Sequence, residues 1–144
     1  IWGGVSGGMP ILAGRALGLG EIDWICIVLS LGILFWIPTH ILTFSMKYFN
    51  DYRAAKVPTF PSTFGFSTTR AIIAVSSILA ATSMALAALG IGMEIGYLRI
   101  YAVLAAGLLL LALSSVLKPN ERVNFGLFKY ASLFMLSSML LMML

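Results

Sequence analysis

The sequence predicts an all-α protein, a polytopic bundle of transmembrane helices, and three observations predict it. Of its 144 residues 60% are hydrophobic and only 10% are charged, against about a quarter charged in a soluble domain. Mean hydropathy is +1.03. The apolar residues also fall in continuous runs close to the about 20 residues that span a roughly 30 Å hydrocarbon core, without the alternation of barrel strands. A soluble fold is excluded on these grounds. The net charge of +4 reports membrane orientation before it reports affinity for nucleic acid. The single cysteine, Cys26, cannot form an internal disulfide and reads as a small buried hydrophobe.

Five helices are expected, over about 1–19, 23–48, 70–89, 98–117 and 125–144, in a single transmembrane domain. The first starts inside a Gly-rich apolar segment with no initiator Met, so the chain is expected to be the C-terminal part of a longer protein. Its pairs Gly3/Gly7 and Gly4/Gly8, followed by Gly14 and Gly18, are spaced for close helix packing. The second helix carries Trp36, Pro38 and His40, and Pro38 is expected to kink it just before the histidine. A polar loop over about 50–69 follows, ordered by Pro58, Pro61 and several aromatics. Loops of that length are functional more often than connecting segments are. Ala80, Ser83, Ala87 and Ala88 form a seam of small residues on the third helix. The fourth shows only hydropathy. The Met-rich end of the fifth (Met135, Met139, Met142, Met143) reads as gap-filling or lipid-facing packing.

Short connections make successive helices antiparallel, so the charges can be counted by side. Lys47, Arg53, Lys56, Arg70, Lys118, Arg122 and Lys129 fall on one side, and only Arg15 and Arg99 on the other. The positive-inside rule then makes the 50–69 loop cytoplasmic, and five spans leave the C-terminus outside.

Polar groups concentrate between Trp36 and Gly65. If the second helix continues to Asp51, then His40, Lys47 and Asp51 lie within about 40° of one another, with Thr43 nearby and Trp36 one turn above. Such a stripe places the imidazole roughly 15 Å deep at 1.5 Å per residue. A neutral structural histidine is the plain alternative, but ionisable groups inside membranes mostly face cavities or pathways. Lys47, Arg53 and Lys56 could simply set topology. Asp51 and Asn50 beside three cations suit a phosphate-bound Mg²⁺, which takes one or two carboxylates and completes its octahedron with water and phosphate oxygens. The cations would neutralise the remaining phosphate oxygens.

Trp36-Ile-Pro-Thr-His40, then Asn50-Asp51-Tyr52-Arg-Ala-Ala55, Val57-Pro58-Thr-Phe-Pro61 and Gly65 resemble the UbiA prenyltransferase superfamily. Within it the pattern is most similar to the protoheme IX farnesyltransferase (haem O synthase) family, read as helices five to nine of nine. Gly4-Val-Ser-Gly7-Gly8-Met9-Pro10 through Gly14 is similar to that family's Gly-rich segment. The sequence departs from the pattern at Thr39 and Ile11, where proline is usual, and at Lys56, where glycine is common. The family's first Asp-rich motif is absent.

The resemblance implies a membrane enzyme that moves farnesyl from farnesyl diphosphate to a vinyl group of protoheme IX. Asn50 and Asp51 would lie on the Mg²⁺ side, and Lys47, Arg53 and Lys56 would hold diphosphate. Trp36, His40 and Tyr52 would face the haem, with His40 either contacting the porphyrin or handling protons. Haem B is then a substrate rather than a bound cofactor, and haem A synthase or oxidase assembly factors are the implied partners. Two alternatives stand beside this reading: a UbiA enzyme with a quinone or isoprenoid-ether acceptor, and a transporter or non-catalytic subunit using His40, Lys47 and Asp51 as an ion path. The ionisable residues stop at His40, which counts against the path. The single histidine counts against a b-type cytochrome, which needs two axial histidines.

Overall fold

A computed structural model of the chain describes residues 2–143, with residues 2–5 described by their backbone alone. Its helices are α1 (Trp2–Leu19), α2 (Trp24–Lys47), α3 (Phe49–Ala54), α4 (Phe60–Ile91), α5 (Ile95–Leu117) and α6 (Glu121–Leu141). Four of them, α2, α4, α5 and α6, are long and apolar enough to cross a membrane. Its glycines and Arg15 make α1 less apolar. The Gly3/Gly7 and Gly4/Gly8 pairs lie partly outside the described side chains.

Helices α2, α4, α5 and α6 close a ring in that order, and α1 packs on the outside of α2. Neighbours run antiparallel, and small residues decide where they touch. On α2, Gly32 admits the Met84 sulfur of α4, which a Cβ there would approach to 2.8 Å. Gly90 likewise leaves room for the Trp24 indole. Ala80, Ser83, Ala87 and Ala88 are all buried, so the small-residue seam is the α4 side of this contact. Gly8 sits against Ser30, whose hydroxyl donates to the Gly8 carbonyl at 3.1 Å.

Lipid offers helices no hydrophobic reason to associate, so close packing and hydrogen bonds hold the ring. Thr39 and Ser77 pair at 3.1 Å across α2 and α4. The Tyr101 hydroxyl donates to the Ala81 carbonyl at 2.6 Å, and Tyr130 to the Leu104 carbonyl at 3.2 Å. Trp36 Nε1 reaches the Ala131 carbonyl at 2.9 Å, and Asn124 Nδ2 the Thr43 carbonyl at 3.0 Å. Thr39, where the resembled pattern has proline, thus supplies an α2–α4 bond. Met135 is buried, Met139 and Met142 pack against the core, and Met143 is exposed.

Opposite ends of the bundle are tied by ion pairs. At one, Arg15 grips Asp23 through Nε at 2.9 Å and Nη2 at 2.6 Å. Asp23 also caps α2 by accepting from Cys26 N at 3.0 Å. The Arg15 hydrogen bond, with help from the Cys26 amide, holds the Asp23 carboxyl at about 2. At the other end Lys47 reaches Glu121 at 3.3 Å, joining the end of α2 to the start of α6.

Two expectations change between Lys47 and Arg70. The second helix does not run on to Asp51: it stops at Lys47, where Tyr48 (φ −102°, ψ 27°) leaves helical geometry, and α3 restarts in a new direction. Upstream, α2 is continuous through Pro38. The 50–69 segment is not one loop, because α3 occupies its start and α4 begins at Phe60. There the Ser62 hydroxyl accepts the Thr59 amide at 2.9 Å and Pro61 fits the first turn. Gly65 (φ 81°, ψ 164°) then bends α4 near its start, a conformation that excludes most side chains.

Lys56 has φ 57°, the left-handed region, at the position where the resembled pattern has glycine. A Cβ there costs about 1–2 kcal/mol. Lys56→Gly is therefore expected to stabilise the protein by about 1 kcal/mol, after the extra chain entropy of glycine is subtracted. A raised thermal midpoint in detergent checks this, and a lowered one would show that the lysine makes a contact worth more than its strain.

Candidate active site

The α3 end of the bundle holds two cavities, and α3 lies against both. Successive residues on a helix turn by about 100°, so Asn50 and Tyr52 point about 200° apart. Asn50 lines a cavity of about 380 Å³ with Met46, Lys47, Phe49, Phe66, Arg70, Glu121 and Asn124. Tyr52 lines a cleft of about 350 Å³ with His40, Ile41, Phe44, Ser45 and Phe128.

The first cavity is cationic and ready for hydrogen bonding. On two of its lining residues, Arg70 Nε and Asn124 Oδ1 are buried with no hydrogen-bond partner among the described residues, although Asn124 Nδ2 is held by Thr43. Two cations and two side-chain amides around one cavity suit an anionic, hydrogen-bonding ligand. The Gly65 bend and the Phe66 ring, 5.7 Å from the Arg70 guanidinium, position that arginine. Lys47 spans Glu121 and the Phe125 ring, 4.9 Å away. Its side chain is about a third exposed, and such a pair is worth about 0–1 kcal/mol, so Lys47 can leave it for a stronger anion.

A ladder of rings joins this mouth to His40. Lys47 and Lys129 both lie over Phe125, which stacks on Phe128 at 5.7 Å and 6°. Phe128 packs on the His40 ring at 4.6 Å, and Trp36 packs on the same ring at 4.6 Å. Through its hydrogen bond to Ala131, Trp36 fixes this end of α2 against α6.

The structure brings together only part of the expected set. Lys47 and Asn50 share the first cavity; His40 and Tyr52 share the second, with Trp36 beside the histidine. Asp51, Arg53 and Lys56 are exposed and line neither. The break at Tyr48 is the reason, since it takes Asp51 off the His40–Lys47 face. Sequence reasoning missed Arg70, counted only toward topology, and all of α6. The signal on α6 was present: Asn124, Phe128 and Ser132 recur every four residues and share one face.

The sequence profile of the UbiA prenyltransferase family matches residues 1–138. The chain belongs to the UbiA prenyltransferase family. It is 31% identical over 124 residues to protoheme IX farnesyltransferase of Mycolicibacterium paratuberculosis, covering 86% of this chain and 39% of that one. Against the protein of that name from Pyrobaculum islandicum it is 30% identical over 130 residues, 90% of this chain and 47% of that one. Against that from Korarchaeum cryptofilum it is 42% identical over 79 residues, 55% of this chain and 27% of that one. The UbiA chain thus spans less than half the length of these relatives. No solved structure matches it.

Among the described residues of this UbiA protein, no three His, Cys, Asp or Glu side chains gather to hold a metal. The donor set suits a different arrangement. Two amides, two cations and Glu121 around one cavity fit a diphosphate that carries its own Mg²⁺, an ion that keeps several waters and takes few protein ligands.

Proposed function

We propose that the protein transfers a farnesyl group from farnesyl diphosphate to the vinyl group of protoheme IX, giving haem O. The observation that carries this is the pairing of sites on α3: a cationic cavity reached by Asn50, and an aromatic cleft with the only histidine reached by Tyr52. A diphosphate fits the first and a flat apolar acceptor the second. The names of the similar proteins support the acceptor.

In this reading Arg70 and Lys47 hold the diphosphate, and Arg53 and Lys56, exposed on the segment between α2 and α4, would add positive charge as it enters. Arg70 can fork onto two phosphate oxygens, whereas Lys47 acts as a point charge. Asn50 and Asp51 would hold Mg²⁺, which supplies Lewis-acid neutralisation of the leaving diphosphate when bound. The allylic C1–O bond breaks, and its electron pair leaves with the diphosphate into the field of Lys47 and Arg70. The terminal vinyl carbon bonds to C1, water adds to the cation left on the neighbouring carbon, and a proton departs. The farnesyl tail lies along apolar helix faces at about 0.8 kcal/mol per buried CH₂.

Incubating the full-length protein with farnesyl diphosphate, Mg²⁺ and haem should yield a hydroxyethylfarnesyl haem by mass spectrometry. Prenylation of a quinone or a glycerol ether instead, with haem untouched, would establish the other acceptor class. The same proposal makes the α3 end cytoplasmic and the C-terminus outside. A cysteine replacing Leu144 should then react with an impermeant thiol reagent added to whole cells, and labelling only after lysis would reverse the topology.

A further inference from the structure

The Nδ1 atom of His40 lies 3.2 Å from Ser132 Oγ, and the same hydroxyl lies 3.1 Å from the Phe128 carbonyl. A hydroxyl has one hydrogen and two lone pairs, and a carbonyl oxygen only accepts. If Ser132 gave its hydrogen to Nδ1, its lone pairs would face the Phe128 oxygen and repel it. If it gives the hydrogen to Phe128, it can accept from Nδ1–H, and both contacts attract. The hydrogen-bond network therefore assigns His40 as the Nδ1–H tautomer. Nε2 is left with a bare lone pair and no hydrogen-bond partner among the described residues.

His40 lines the cleft with Phe44, Tyr52 and Phe128, so this lone pair belongs to a largely apolar, aromatic surface. Neutral imidazole is the commonest protein ligand for metals, and an acceptor on its other nitrogen orients the ring and makes it more basic. The cleft opens past Ile41 and Phe44, 53% and 38% exposed, so an acceptor larger than the cleft can extend beyond it. We propose that Ser132 is a positioning residue that locks this tautomer, and that His40 Nε2 ligates the iron of the tetrapyrrole acceptor. The step forms one dative Fe–N bond from the imidazole lone pair, with no change of oxidation state. It rests on the haem reading above and adds to it the atom that seats the substrate.

The test is an absorption titration of the full-length protein in detergent with haemin. Wild type should shift the Soret band on binding. His40→Ala should lose that shift and regain it with added imidazole, which also shows that the variant is folded. Ser132→Ala should weaken haemin binding about tenfold, the usual scale for a lost partner of a metal-ligating histidine. Ser132→Thr, which keeps the hydroxyl, should restore it. A wild-type spectrum in His40→Ala would overturn the ligation, and unchanged affinity in Ser132→Ala would overturn the positioning role. If wild type ignores haemin but prenylates another acceptor, the haem reading fails instead, and the proposal with it.

Discussion

Arg70→Ala in the full-length protein is expected to lower kcat/KM for the prenyl diphosphate by about a hundredfold or more, with the fold retained. The size follows from where the guanidinium stands. It lines the cationic cavity beside Lys47, where two cations face the single carboxylate of Glu121, so a diphosphate there would draw on its charge and its forked donors. Removing a donor aimed at charge developing on a leaving group typically costs about 10²–10³ in rate. Arg70→Lys should recover only part of the loss, because an ammonium cannot reproduce the two-pronged geometry. Steady-state kinetics at varied diphosphate concentration measure both. Wild-type kinetics in Arg70→Ala would reduce this residue to a packing partner of Phe66.

Asp51→Asn should be comparably damaging to turnover and nearly silent in stability. The Asp51 carboxylate is exposed and makes no side-chain hydrogen bond or ion pair among the described residues, so the fold does not depend on its charge. If it helps hold Mg²⁺ on the diphosphate, neutralising it removes one of the few carboxylates that ion takes. A fall of about a hundredfold or more in prenyl transfer is expected, with the thermal midpoint in detergent unmoved. Partial rescue by higher Mg²⁺ would locate the defect in metal holding. Undiminished activity would take Asp51 out of the site and leave Asn50, which does line the cavity, as the group contributed by α3.

Much of the architecture was legible because hydropathy is a local property. The apolar runs that predict helices appear as α1, α2, α4, α5 and α6, since a chain in lipid must satisfy its backbone within each segment. The helix ends were less legible. The stop at Tyr48 and the start of α4 at Phe60 depend on local backbone geometry and capping, which hydropathy does not encode. The candidate site was half legible. His40, Lys47, Asn50 and Tyr52 stood out as polar or aromatic groups beside apolar runs, and each lines a cavity. Arg70, Asn124, Phe128 and Ser132 did not, because their significance comes from neighbours more than fifty residues away in the chain, as in the Ser132–His40 and Asn124–Thr43 hydrogen bonds.

What the residues alone determined is a lipid-embedded helical protein whose reactive groups gather at one end, because transfer free energy sorts polar from apolar side chains segment by segment. Only the folded bundle decided that this end holds two cavities rather than one stripe. A single non-helical residue, Tyr48, turns α3 out of line, and the close contact of α2 with α6 supplies the walls. Those are long-range packing outcomes, and no local pattern carries them.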